Sequence, residues 1–148
     1  MPTPARFLCA ILFAYIGWQA AQIAVAQLPP EQVAQARGVD RLAAIFGAIT
    51  GWRFVGSRAG QGARTAFATG MTGGALLFFT VMATSSAVLM IRASTRFAYS
   101  DPLEATVDAI RIGIEKTALV STPELYALLL GGGVLAAMVG EGLNRRWS

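Results

Sequence analysis

Gly51-Trp52-Arg53-Phe54-Val55-Gly56-Ser57-Arg58-Ala59-Gly60-Gln61-Gly62 separates two apolar segments, and its reading decides how often the chain crosses a membrane. It holds two arginines, one tryptophan and four glycines in twelve positions, with oily sequence on either side. A glycine-rich, positively charged stretch between apolar runs reads as a tight loop at a membrane surface, where arginines anchor helix ends to headgroups.

The composition agrees. Of 148 residues only 14% are charged and 55% are hydrophobic; the mean hydropathy is +0.55. Soluble domains carry about 25% charge, so this is a membrane protein's balance. The net charge of +4 arises mainly from arginines at the ends of apolar runs. They serve topology and argue against nucleic-acid binding. One cysteine, Cys9, excludes an internal disulfide, and the lack of histidine removes the commonest general base and metal ligand.

Working outward, four spans and one surface helix are expected, all α-helical. Phe7 to Ala26 is long enough to cross about 30 Å of hydrocarbon at 1.5 Å per residue. Arg6, this apolar run and Ala24-Val25-Ala26 imitate a signal peptide with an A-x-A cleavage site, but the segment is expected to be retained as the first helix. Gln19 and Gln22 lie three apart and share a helix face, which should turn toward another helix or a cavity. Pro29-Pro30 ends the helix. The segment 40–55 is short for a span, with a re-entrant hairpin as the alternative. The run 64–91 spans with length to spare, and its threonines and serines can bond back to carbonyls of the preceding turn. Ser100-Asp101-Pro102-Leu103-Glu104 starts a helix over 102–120, with Leu103, Val107, Ile110 and Ile114 on one apolar stripe. It reads as an amphipathic helix in the outer interface. Ser121-Thr122-Pro123-Glu124 opens the last span, 124–143, after which Arg145 lies one turn beyond Glu141 and can pair with it.

Four spans with a cytoplasmic N-terminus put Arg6, Arg53, Arg58, Arg64, Arg145 and Arg146 inside. Arg37, Arg41, Arg92, Arg96, Arg111 and Lys116 then lie outside, six against six, so the positive-inside count favours this topology only weakly; what adds to it is that the inside set is dense and nearly free of acids. Small residues mark faces for close helix packing: Gly47 with Gly51, the Gly70/Gly74 GxxxG pair, and Gly132, Ala136 and Gly140. Other membrane-protein chains are the expected partners besides the lipid bilayer.

The sequence offers one place for chemistry. Gly56, Gly60 and Gly62 allow positive φ and uncover backbone N–H groups, while Arg53 and Arg58 add fixed charge; together they could cradle an oxyanion or a lipid phosphate. A topological anchor with a glycine-rich turn is the simpler reading. No nucleophile–base pair, paired carboxylate set, metal cluster or cofactor ligand set is present, so no catalytic residue, metal or cofactor is expected.

The start Met1-Pro2-Thr3-Pro4-Ala5-Arg6, the Gly51-Trp52-Arg53 motif with Gly56, Arg58-Ala59-Gly60 and Gly62, Asp101-Pro102-Leu103-Glu104-Ala105, and Thr122-Pro123-Glu124 with Gly131-Gly132-Gly133-Val134-Leu135-Ala136 resemble the TrgA family of bacterial inner-membrane proteins. The resemblance covers nearly the whole chain; Pro29 to Asp40 departs from it. It implies a small multi-pass inner-membrane protein associated with tellurite resistance, and brings no catalytic residues. Reducing tellurite needs electrons, and one cysteine without cofactor ligands supplies none. Export needs a polar path, which four short helices hardly offer. The expected role is therefore a non-catalytic accessory or scaffold component that packs against itself or a larger inner-membrane complex, respiratory or photosynthetic. Direct handling or export of an oxyanion is the alternative.

Overall fold

The computed structural model describes residues 4–28, 30–33, 37–94, isolated positions between 103 and 118, and 121–146. The first helix, α1, runs Pro4–Ala26, followed by a single turn, α2, at Pro30–Val33. Helix α3, Val39–Thr50, continues without a break through a π turn at Gly51–Val55 and a 3-10 turn at Gly56–Arg58. Helix α4 spans Ala63–Ser94. Pro123–Tyr126, a π turn at Ala127–Gly131 and Gly132–Arg146 form one continuous helix, α5. Its start follows from local chemistry: Thr122 is the N-cap, accepting from the Leu125 N–H at 3.4 Å, and Pro123 occupies the first turn. No strand occurs among the described residues.

Three stretches are long and apolar enough to cross a membrane: Pro4–Ala26, Ala63–Thr84 and Pro123–Asn144. The expected fourth span at 40–55 is helical, but its α-helical part, Val39–Thr50, has 12 residues and it is not among the three stretches long and apolar enough to cross. The expected interfacial helix at 102–120 falls largely outside the described residues. Those that are described there are helical, and Leu103, Val107, Ile110 and Ile114 are all exposed.

Helix α1 is central. Cys9, Phe13, Ile16 and Ala20 bury against the other helices, and Phe13 is fully enclosed. Hydrocarbon is as apolar as leucine, so such a bundle is held by close packing and hydrogen bonds rather than by escape from water. The glycines show how close. Helix α3 runs antiparallel to α1 with Gly47 against the Phe13 backbone, Gly51 against the Cys9 carbonyl and Gly56 against Arg6. Further along, Gly17 of α1 meets the Ala43 carbonyl. Helix α4 pairs with α5 in the same way: a methyl at Gly70 would lie 2.6 Å from the Gly133 carbonyl oxygen, and one at Gly74 would strike Leu129. Gly132 faces the Ile16 side chain, Gly140 the Cys9 sulfur, and Ala136 is buried. Each of these small-residue faces is thus occupied by another helix of the same chain.

At the far end, the shortness of α3 leaves a crevice. Val39 and Ala43 form one wall; Gly17, Ala20, Ala21 and Ala24 of α1, Leu77, Phe78, Val81 and Met82 of α4, and Leu125 and Leu129 of α5 form the rest around about 40 Å³.

Candidate functional site

The stretch read as a twelve-residue loop is mostly helix. Gly51 and Gly56 both have right-handed helical backbones, φ −60° and −65°, and the Gly56 N–H bonds to the Gly51 carbonyl. They are glycine because α1 passes too close for a side chain. Gly56 is therefore no part of an anion cradle. The turn itself is Ala59 to Gly62, where Gly60 and Gly62 have φ of 97° and 105°, the left-handed region that disfavours any other residue.

That conformation aims the Gly60 and Gly62 N–H groups toward α5, where Glu141 accepts both. Oε2 lies 2.5 Å from the Gly60 nitrogen and Oε1 lies 3.0 Å from the Gly62 nitrogen. Each carboxylate oxygen thus takes one N–H, the arrangement of a bidentate anion in a backbone nest. Glu141 is only 5% exposed. A carboxyl group so enclosed needs hydrogen-bond partners, and two backbone amides supply them. The cradle foreseen for an external oxyanion thus holds the protein's own carboxylate. The expected Glu141–Arg145 pairing involves a side chain outside the described residues.

The arginines divide. Arg58 is committed locally: its guanidinium lies 4.2 Å over the centre of the Phe54 ring, and Nη1 donates to the Phe54 carbonyl at 3.0 Å. Ser57 Oγ donates to the carbonyls of Arg53 and Phe54 at 2.8 and 3.1 Å. Together Arg58 and Ser57 satisfy carbonyls that the end of a helix leaves without ladder partners. Arg53 and Arg64 are exposed, and Arg6 lies beside Gly56. The hinge end therefore carries several arginines and, held by its two glycine amides, one buried carboxylate.

Sequence reasoning missed the Glu141 contact, and its only advance signal was an acid inside an apolar helix. Among the described residues no group of three or more histidine, cysteine or acidic side chains is placed to hold a metal. Cys9 is buried, with its sulfur 4.0 Å from the Ala136 carbonyl and seated in the notch left by Gly140. No protein-family model, curated protein or solved structure matches this chain.

Proposed function

We propose that this chain is a four-crossing protein of the bacterial inner membrane that acts as a non-catalytic accessory or scaffold component. Its termini lie in the cytoplasm, and it packs against itself or a larger respiratory or photosynthetic complex. The observation that carries this reading is the filled cradle. The glycine turn offered by the sequence for an exogenous anion already contains Glu141, so the hinge serves as an internal clamp. Its exposed cations, Arg53 and Arg64, suit headgroup contact and topology.

The fourth crossing is supported by register. Helix α3 and its π turn stay beside α1 from Gly17 down to Arg6, so where α1 crosses, α3 travels with it in the opposite sense. The missing turn at its far end is the crevice below Val39. The 103–118 segment suits the outer interface, its four large apolar residues in the acyl boundary and its Arg111–Glu115 pair, 2.9 Å apart, in water. The TrgA resemblance fits this picture, and the rival oxyanion-handling reading loses its cradle.

Mild extraction of the tagged chain from native membranes, followed by mass measurement, tests the proposal. A defined assembly with other membrane proteins is expected. A lone monomer, or loss of tellurite tolerance in Arg53→Gln and Arg58→Gln chains of normal abundance, would overturn it.

A further inference from the structure

We infer that the outward face of α1 is a contact surface for a second copy of this chain, closed by the amides of Gln19 and Gln22. The inference rests on the reading of α1 as a membrane crossing. Phe7, Ile11, Tyr15, Trp18 and Gln22 are all exposed and recur every three or four residues, so they form one stripe. The remaining sides of α1 pack on α3 and α5, and side chains bridge it to α4 through Phe13 against Gly73 and Leu77 against Gly17.

This stripe differs in kind from the other outward faces. Helix α4 presents Phe67, Met71, Leu76 and Phe79, and its Thr72 and Thr80 hydroxyls donate to the Ala68 and Leu76 carbonyls at 2.8 and 2.7 Å. Those polar groups are content in lipid. The α1 face is not. Gln19 Nε2 donates to the Tyr15 hydroxyl oxygen at 3.0 Å, which leaves the Tyr15 proton and the Gln19 carbonyl without a bond among the described residues. The exposed Gln22 amide has no side-chain partner there either. Thirteen residues beyond Arg6, Gln19 lies about 20 Å along the axis, well inside a hydrocarbon layer of about 30 Å. Unpaired amides at that depth are costly.

A second copy meets the requirement best because a primary amide is its own complement, with two donors and a carbonyl acceptor. Two copies in the same membrane share one orientation. A twofold axis along the membrane normal then brings Gln19 and Gln22 to equal depth in both, with Phe7 and Ile11 adding apolar contact in the other half. A partner offering only donors, or only acceptors, would leave half of each amide unpaired.

Energy transfer between donor- and acceptor-labelled full-length chains in phosphatidylethanolamine/phosphatidylglycerol vesicles, measured over a range of lipid dilutions, tests this. The wild-type chain should dimerise. The Gln19→Leu/Gln22→Leu chain should shift toward monomer by about tenfold or more in dissociation constant, Gln19→Asn/Gln22→Asn should retain most of the association, and Leu135→Ala on the outward face of α5 should change nothing. A wild-type monomer at every dilution, or leucine variants that dimerise as well as wild type, would overturn the inference. Maleimide labelling of Tyr15→Cys in a Cys9→Ala background separates the two levels. Protection from a water-soluble reagent in a monomeric chain sinks the dimer alone, whereas ready labelling sinks the crossing beneath it.

Discussion

Glu141 is where a single side chain does most for this fold. It is an acid deep in a mostly apolar helix, and it closes a contact between residues about 80 positions apart in sequence. Removing it leaves the Gly60 and Gly62 N–H groups without their charged acceptor, and a hydrogen bond to a charged group contributes about 1.5 to 3 kcal/mol. Glu141→Leu should therefore destabilise the bundle by about 3 kcal/mol, read from unfolding in mixed micelles. It should also release the Gly60 and Gly62 amides to hydrogen exchange. Glu141→Gln, which keeps one acceptor oxygen but brings an NH₂ toward the other N–H, should fall between. Equal protection of both amides in wild type and Glu141→Leu would show that the turn holds itself. None of this was legible locally. Arg145 stands one turn away in sequence and offers the obvious partner, whereas the two glycine amides become visible only when α4 and α5 lie side by side.

Elements were more legible than contacts. The apolar runs, the Thr122-Pro123 start and the small-residue spacings are periodic features of one helix, and periodicity survives folding. The end of α3 was not. Gly56 looks like a turn residue, yet like Gly51, which was expected on a packing face, it remains helical and lets the α1 backbone approach; sequence cannot distinguish a glycine that bends from one that yields space. This distinction is measurable. Gly74→Ala forces a methyl into the Leu129 backbone and should cost about 2 to 3 kcal/mol, as overpacking does. Gly131→Ala, with nothing within 4 Å of the added carbon, should be neutral or slightly stabilising through helix propensity. Equal effects of the two in the same unfolding assay would contradict the packing described for α4 and α5.

For the whole molecule, the question is whether α3 crosses or returns. Its register with α1 predicts that single cysteines at Arg37 and Ser57, in a Cys9→Ala background, are labelled from opposite sides of sealed vesicles. Labelling from the same side would establish a re-entrant hairpin. The sequence already held the ambiguity in the shortness of 40–55, and the structure gives it a physical form: a helix shorter than α1 and α4, with a crevice at its Val39 end.

The clamp also imposes an order on biosynthesis. The turn at Ala59–Gly62 leaves the ribosome long before Glu141 exists, so its two amides wait unanswered while α4 and α5 are still being made. A chain halted partway keeps that hinge open at the membrane surface; only a chain translated through α5 can shut it. Closure of the hinge thus follows the making of α5 and cannot precede it.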